Sequence, residues 1–367
     1  MSDLATASAL VEAGTQLPTS WYVDQAVHEL EQRELFAKTP QYVGHELMAP
    51  NVGDYYAMEW MGNAKALLRN HEGITLLSNI CRHRQAIMLR GQGNTNNIVC
   101  PLHRWTYNLK GELLGAPQFP GNPCLNLTAT QLQNWQGLLF TGPQTVNKDL
   151  QPLTIARDFD FSGYKLDRVV TEEYNFNWKT FVEVYLEDLH VEPAHPGLGN
   201  FVDCEDLTWE FGERYSVQTV GIARELSRPG TPVYDRWHQQ VLNYSSELPK
   251  RGAVWMIYYP NIMLEWYPNV LVVSTVLPRA PEKCLNVVEY YYPEDIVLFE
   301  RDYIEAHQKA YNETAVEDAE ICTRMQEGRA ALYRQGENEV GPCQSPLEDG
   351  LVHFNEFMLK TLGPHLK

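Results

Sequence analysis

The chain has 367 residues and a formal net charge of −18, which is long enough for two domains or one large one. This negative charge argues against nucleic acid and anionic membranes as partners. No apolar run reaches the length of about 20 residues that spans a bilayer, and the acid-containing N-terminus does not resemble a signal peptide. The seven cysteines therefore predict free thiols in a reducing cytoplasm, not a disulfide framework.

Three kinds of sequence follow one another along the chain. Residues 20–38 predict a helix, with Ser20 as its N-cap. From about residue 41 to 145, short strands alternate with Gly, Asn and Pro turns, which predicts a small all-β module. From about residue 165 onward, strand and helix patterns alternate, which predicts an antiparallel sheet with helices packed against it. The predicted fold class is therefore α+β.

Two short pairs in the β module each combine a cysteine with a histidine. Cys81-x-His83 is followed, after sixteen residues, by Cys100-x-x-His103. Zinc accepts two cysteines and two histidines, but its common patterns pair like with like. A two-iron cluster explains the mixed pairs, because each loop then sends its cysteine to one iron and its histidine to the other. Two neutral imidazoles in place of thiolates also raise the reduction potential.

The sequence around both pairs resembles the Rieske [2Fe–2S] motif of ring-hydroxylating oxygenase terminal components. The matching residues are Cys81, His83, Arg84, Cys100, Pro101, His103, Trp105, Tyr107, Gly111 and the Gly-Ala-Pro at 115–117. The resemblance implies that the two Cys/His pairs bind the cluster. The sequence departs from the family at Gln85 and Arg104, where the family usually has glycine, and both residues flank ligands without replacing one.

A second pair of histidines lies further along the chain. His190 and His195 are separated by four residues, and two imidazoles with one carboxylate leave open positions on iron(II) for O₂ beside a substrate. The segment is similar to the mononuclear-iron motif of the same family, which includes the Asn-Trp-Lys at 177–179. The resemblance implies a third ligand on a late helix, where Asp318 is the predicted ligand and Glu317 the alternative.

A carboxylate near the first of these histidines has its own place in the resemblance. Glu187, three residues before His190, matches the family's acid that bridges a cluster-ligand histidine of one subunit and an iron-ligand histidine of the next. Asp188 is the alternative for this electron-transfer bridge. The implied assembly is a head-to-tail homotrimer, and the presence of additional small subunits stays open. A carboxylate that accepts from both imidazoles would orient them.

The resemblance also implies a substrate pocket between the sheet and the iron-binding helix. The candidate lining residues are Phe201, Val202, Trp255, Ile257, Tyr259, Met263 and Trp266. Aromatic walls, in a chain with 20 Tyr and 9 Trp, suit a flat ring by stacking and equally suit a quaternary ammonium by cation–π contact. The charge of the pocket distinguishes these substrates, because a negatively charged aromatic cage favours a cationic amine and a neutral slot favours a ring.

The resemblance implies a terminal oxygenase component that uses the cluster, a mononuclear Fe(II) and O₂ to hydroxylate an organic substrate once or twice. An aromatic ring, in aromatic hydrocarbon catabolism, is the first choice. The alternative is monooxygenation or oxidative demethylation of a quaternary ammonium or N-methyl substrate. An electron-transfer-only Rieske protein and a zinc-stabilised binding protein are remote alternatives. No flavin or nicotinamide fingerprint is present, so electrons from NAD(P)H are expected through a separate reductase, with or without a ferredoxin.

The resemblance finally predicts a division of the chain into three parts. Residues 1–40 would form an N-terminal helix that packs on the catalytic domain, and residues 41–160 would form the Rieske domain. Residues 161–367 would form the catalytic mononuclear-iron domain, with a helix-grip, START-like arrangement of antiparallel sheet and helices.

Overall fold

The computed structural model describes residues 16–245, 247–338 and 340–366. By its internal contacts the chain divides at two places, between Thr39 and Pro40 and between Asn147 and Lys148. The middle segment forms one compact unit, and the two flanking segments together form the other. The predicted functional domains at 1–40, 41–160 and 161–367 stay a prediction. No helix in the described part of the chain is long and apolar enough to cross a membrane, and the cytoplasmic location also stays a prediction.

The middle unit consists of short antiparallel strands and turns. Its strands are β1 (Gln41–His45), β2 (Asp54–Ala57), β3 (Lys65–Asn70), β4 (Gly73–Ser78), β5 (Gln92–Asn94), β6 (Ile98–Val99), β7 (Thr106–Tyr107), β8 (Leu113–Gly115), β9 (Ala129–Thr130), β10 (Gln133–Trp135) and β11 (Leu138–Thr141). They form three sheets, with the orders β1-β11-β10, β5-β2-β3-β4-β9 and β6-β7-β8. The predicted all-β module is therefore present over this segment.

The other unit is built on one seven-stranded antiparallel sheet, which confirms the predicted α+β class. Its strands are β12 (Tyr164–Tyr174), β13 (Val202–Gly212), β14 (Tyr215–Ile222), β15 (Ala253–Tyr258), β16 (Ile262–Tyr267), β17 (Val270–Ala280) and β18 (Lys283–Pro293). The strand order is β12-β18-β17-β16-β15-β14-β13. Helices α3 and α4 lie in the chain between the two edge strands, β12 and β13.

The described helices range from one turn to 35 residues. The α-helices are α1 (Gln25–Leu30), α2 (Val146–Asp149), α3 (Trp178–Tyr185), α4 (Val191–Ala194), α5 (Pro232–Tyr244), α6 (Glu294–Phe299), α7 (Arg301–Gln335) and α8 (Asp349–Leu362). Single turns of 3₁₀ or π helix span Thr19–Tyr22, Glu31–Leu35, Phe36–Lys38, Glu46–Met48, Glu59–Met61, Ala156–Phe159, Leu198–Asn200, Ala223–Leu226 and Gly363–His365. Helix α7 ends at Gly336, whose φ of 76° gives the left-handed C-terminal turn.

The N-terminal helical segment begins later than the sequence pattern predicts. Asp24, not Ser20, caps α1, because its carboxylate accepts a 2.7 Å hydrogen bond from the Ala26 N–H. The segment is then fixed by a fully buried ion pair, in which Glu31 lies 2.5 Å from Lys179 Nζ and also accepts from the Trp178 indole at 2.9 Å. Two residues of the Asn-Trp-Lys motif therefore have an anchoring role in this fold.

The first residue of that motif organises the helix that leads to the histidines. Asn177 caps α3 by accepting from the Lys179 N–H at 2.9 Å, which satisfies one of the free donors at the helix start. Its own N–H donates at 3.0 Å to Gln326 of α7. Helices α3 and α7 are thereby joined. The two histidines follow α3 in the chain, and Asp318 lies on α7.

Candidate active site

The first Cys/His loop in the middle unit is held by its own backbone. Cys81 lies just after β4, and its side chain is buried with 1% exposure. The Cys81 N–H donates to the carbonyl of Ala86 at 2.9 Å, and the Gln85 N–H donates to the carbonyl of Cys81 at 3.1 Å. These two bonds close a tight turn that presents the intervening His83 beside the cysteine.

The second loop, after β6, repeats the same arrangement. The Cys100 N–H donates to Trp105 O at 2.8 Å, and the Arg104 N–H donates to Cys100 O at 3.1 Å. Each loop therefore bonds its cysteine to the fourth and fifth residues that follow it. The two unlike spacings, Cys-x-His and Cys-x-x-His, are accommodated within one common turn geometry.

The two departures from the family pattern occupy equivalent positions in these turns. Gln85 has φ of 53° and Arg104 has φ of 59°, so both lie in the left-handed region that glycine adopts without a Cβ penalty. This geometry explains why small residues are expected there. Because both side chains are exposed, the longer residues cost backbone strain but meet no buried neighbour.

The four predicted cluster ligands differ in burial. Both cysteines are buried, whereas the rings of His83 and His103 lie toward the solvent with their centroids 4.7 Å apart. The Nδ1 of His83 is buried and has no hydrogen-bond partner among the described residues, and its ring stacks on Trp105 at 5.0 Å. An inner pair of thiols and an outer pair of imidazoles, one with an unused ring nitrogen, fit a [2Fe–2S] cluster.

The structure brings His190, His195 and Asp318 together in the other unit. One ligand atom from each of the three lies within 4.8 Å of the others. Asp318 Oδ1 is 3.5 Å from His190 Nε2 and 3.0 Å from His195 Nε2. His190 precedes α4, His195 follows it, and Asp318 lies on α7. A single helical turn thus sets the spacing of the two histidines opposite a carboxylate that is distant in the sequence.

The chemistry of this donor set fits a divalent metal ion. His195 Nε2 and Asp318 Oδ1 are buried and lack an aligned hydrogen bond among the described residues, although they are close to each other. Two buried polar atoms that lie close together without an aligned hydrogen bond fit a metal ion as their common partner. Burial would raise the pKa of Asp318, but the His190 and His195 rings outweigh it and hold that pKa below its ordinary value. The carboxylate is accordingly charged, as a metal ligand must be.

Two further acids lie against the other ring nitrogens of these histidines. Glu317 Oε2 lies 2.8 Å from His195 Nδ1, and Glu187 contacts His190 Nδ1. Glu187 also accepts from the His190 N–H at 3.1 Å. Carboxylates in this position fix the ring orientation and leave Nε2 free for the metal. Glu317, the alternative ligand of the sequence analysis, lies on the side of His195 away from Asp318.

Asp188, the alternative bridging residue, is placed differently from Glu187. Its side chain is 3% exposed, and its Oδ2 has no hydrogen-bond partner among the described residues. Burial, and then the neighbouring Glu187 charge, raises the pKa of Asp188 to about 7. Glu187 is the residue of the two that contacts His190, and both line the same cavity.

A cavity of about 120 Å³ opens beside this triad, between the sheet and helices α3, α4, α5 and α7. Of the predicted lining residues, Phe201 and Trp255 line it. Val202 packs in the adjoining core instead. Ile257, Tyr259 and Met263 belong to the other core cluster, and Trp266 lies on the opposite face of β16 from the cavity.

The sequence analysis missed a carboxylate at the wall of this cavity. Glu265 of β16 is 3% exposed and accepts hydrogen bonds from Tyr267 at 2.7 Å and Tyr311 at 2.9 Å. Tyr267 in turn accepts from the Trp255 indole N–H at 2.9 Å. The signal in the sequence was a single acid in the otherwise apolar strand "IMLEWY". Tyr290 and Glu172 also line the cavity and were not predicted.

Comparison with known proteins identifies the family. The chain matches the model "Ring hydroxylating alpha subunit (catalytic domain)" over residues 161–363 and the model "Rieske [2Fe-2S] domain" over residues 20–126. The chain belongs to the Rieske non-haem iron oxygenases, as an alpha subunit. It is therefore an oxidoreductase whose cofactors are a Rieske cluster and a mononuclear iron, with O₂ as co-substrate. Proteins of this family act on a small molecule and receive electrons from a separate reductase.

Two curated relatives cover almost the whole oxygenase chain. It is 60% identical to "Putrescine 2-hydroxylase" of Ralstonia nicotianae, over 99% of this chain and 100% of the relative. It is 50% identical to "Putrescine 2-hydroxylase" of Bordetella bronchiseptica, over 99% of this chain and 88% of the relative. The structure of the quaternary ammonium Rieske monooxygenase CntA with L-carnitine shares the fold, at 19% identity, a TM-score of 0.75 and coverage of 96% and 97%.

These relatives bear on the expected reaction type. The two named activities are single hydroxylations. The expectations of dihydroxylation and of aromatic hydrocarbon catabolism find no support among them. The amine alternative of the sequence analysis has that support instead.

Proposed function

We propose that this oxygenase hydroxylates a short aliphatic diamine, with putrescine as the substrate and carbon 2 as the position of attack. The observation that carries the proposal is the 60% identity, along the whole chain, with the Ralstonia nicotianae protein named for that reaction. In such a hydroxylation one atom of O₂ enters a C–H bond. The other atom leaves as water, with two electrons and two protons supplied through the reductase.

The charge of the cavity supports a cationic substrate. Five acidic side chains line it, Glu172, Glu187, Asp188, Glu265 and Asp318, and no lysine or arginine of the described residues does. Three histidines also line it, of which His190 and His195 are the proposed metal ligands. Burial lowers the pKa of the third, His307, to about 3, so that imidazole is neutral. Tyrosine and tryptophan rings form much of the remaining wall. Because the pKa values of Asp188 and Glu265 are raised to about 7, this cage carries its full negative charge above neutral pH, where it suits an amine rather than a neutral ring.

We assign the cofactors to the side chains described above. Cys81, His83, Cys100 and His103 would hold the cluster, which supplies electrons one at a time when bound. His190, His195 and Asp318 would hold the mononuclear iron, where O₂ is activated beside the substrate. Glu317 and Glu187 would keep the two imidazoles oriented and neutral at Nε2.

The path of the electrons belongs to the same proposal. In a head-to-tail homotrimer, the cluster of one subunit would serve the mononuclear iron of the next. Glu187, which contacts His190 Nδ1, would accept from a cluster-ligand histidine of the neighbouring subunit. Asp188 is the alternative bridge, and an NAD(P)H-dependent reductase, with or without a ferredoxin, would reduce the cluster.

The test is turnover by the purified, metal-loaded trimer with NAD(P)H and the reductase that serves a putrescine 2-hydroxylase. We expect one oxygen atom from ¹⁸O₂ in 2-hydroxyputrescine, identified by mass spectrometry of the derivatised product. Choline, L-carnitine and naphthalene serve as competing substrates under the same conditions. The proposal is wrong if any of these three is oxidised faster than putrescine. His190→Ala is the matched inactive control and should retain the cluster absorbance.

A further inference from the structure

Glu265 is a buried carboxylate without a cation. No basic side chain in the described ranges pairs with it or contributes to its titration, although its side chain is 3% exposed. A buried charge of this kind is strongly unfavourable unless another group compensates it. Since Glu265 also lines the cavity, the compensating group can come from a ligand.

The polar hydrogen atoms nearest Glu265 already donate to acceptors within the protein. Tyr267 and Tyr311 each donate their hydroxyl hydrogen to one of its two oxygens. The Trp255 N–H is directed at the oxygen of Tyr267. What the cluster can still offer to a ligand is therefore a set of acceptor lone pairs on the carboxylate and the phenol oxygens. A ligand that fits must bring several donors and a positive charge.

We propose that Glu265, with Tyr267 and Tyr311, is the subsite that binds one primary ammonium group of the substrate. This inference rests on the proposed function and adds the residue that recognises the diamine. A primary ammonium has three N–H donors and no acceptor, which matches an acceptor-only cluster. A quaternary ammonium has no N–H, so it would leave these oxygens unsatisfied and bind more weakly.

The same contacts define a direction for the bound chain. Tyr311 and Asp318 both lie on α7, seven residues or two turns apart, which places them on one side of the helix about 10 Å apart along its axis. Tyr311 marks the ammonium subsite and Asp318 marks the metal site. An ammonium held at Glu265 thus fixes the position of one end of the diamine. The number of carbons in the diamine then determines which carbon lies at the metal site.

The decisive measurement is calorimetric binding to the iron-loaded full chain at pH 8. The probes are putrescine and its analogue with a trimethylammonium group at each end, and the variants are Glu265→Gln and Glu173→Gln. Glu173 is an exposed glutamate on β12 outside the cavity, so its variant is the control. We expect putrescine to bind at least about 100-fold more weakly to Glu265→Gln, as for loss of a buried charge partner, and unchanged to Glu173→Gln. A loss of less than tenfold overturns the assignment.

A second variant tests the tyrosine contact without removing the charge. Tyr311→Phe retains the ring but not the donor that orients the carboxylate. We expect a higher KM for putrescine and hydroxylation spread over more than one carbon. A single product with unchanged KM counts against the subsite. Failure of the proposed function is separable from these results: in that case the wild-type protein neither binds nor hydroxylates putrescine, whatever residue stands at position 265.

Discussion

Replacement of Glu265 by glutamine should stabilise the protein at alkaline pH while it weakens amine binding. Burial, opposed in part by the Tyr267 and Tyr311 hydrogen bonds, raises the pKa of Glu265 from the ordinary 4.5 to about 7. Because the folded-state pKa is the higher one, folding is penalised once the carboxyl is charged. The penalty is absent well below pH 4.5, grows between pH 4.5 and 7, and is complete above pH 7.

The size of this penalty follows from the two pKa values. At about 1.4 kcal/mol for each tenfold change in proton affinity, it amounts to about 3 kcal/mol at pH 8 and to less than about 1 kcal/mol at pH 5. Glutamine has the shape of the protonated acid and carries no charge, so Glu265→Gln should remove the penalty. In the unit that contains Glu265 (residues 1–39 and 148–367), this gain in the free energy of unfolding at pH 8 corresponds to a rise of about 6 °C in the melting temperature.

The assay is thermal denaturation of metal-loaded protein at pH 8 and at pH 5, with Glu173→Gln as the exposed control. Saturating putrescine should raise the melting temperature of the wild type much more than that of Glu265→Gln, since only the former gains a compensating ammonium. An equal stability difference between wild type and Glu265→Gln at the two pH values would refute the reasoning. It would mean that the buried carboxyl is not charged in the free protein.

Three further predictions concern the metal sites and the cavity. Asp318→Asn should lose most of the mononuclear iron and retain the cluster absorbance. Glu317→Gln should retain measurable iron, with about 10- to 100-fold weaker affinity. Metal analysis after dialysis distinguishes the two variants, and equal iron loss would contradict the ligand assignment. Arg104→Gly should keep the cluster, whereas Arg104→Val should lose the cluster and its labile sulfide. The reason is that φ of 59° at this position strains a β-branched side chain most. Full cluster loading of the valine variant would contradict this explanation. The dissociation constant for putrescine should rise about tenfold from pH 8 to pH 6, since protonation of Glu265 removes the acceptor charge. The neighbouring tyrosines do not titrate there, because burial raises the pKa values of Tyr185, Tyr267, Tyr290 and Tyr311. Asp188 lines the same cavity and its pKa is also raised to about 7, so the profile belongs to Glu265 only if Glu265→Gln abolishes it. A flat profile would exclude Glu265 as the titrating group.

Both candidate metal sites could be proposed from the sequence because metal chemistry restricts which residues occur close together. Each Cys/His pair and the two histidines around α4 are local in sequence, so their spacing alone is informative. Asp318 is different, since it lies more than one hundred residues from His195 and only the family resemblance singled it out. Its placement against both histidines depends on the contact between α3 and α7, which no local pattern encodes.

The cavity wall was harder to predict, and the reason is geometric. Alternation along a strand tells which residues share a face, so Trp255 and Ile257 were grouped together. Alternation does not tell how far along the strand a helix covers that face. Ile257 packs in the core with residues of α8, whereas Trp255 lines the cavity. Glu265 was missed because an isolated acid in a strand is usually a surface residue, and only the fold shows it to be buried.

The repeated backbone bonds of the two cysteine loops bear on how the cluster is assembled. Both turns are closed by main-chain hydrogen bonds at Cys81 and Cys100, whose donors and acceptors all belong to the polypeptide. These bonds offset part of the conformational entropy of ordering the two loops, so the cofactor has less of it to compensate. We expect the folded apoprotein to accept a cluster from a donor without refolding. A cluster that is lost to oxidation should likewise be replaced while the protein stays folded.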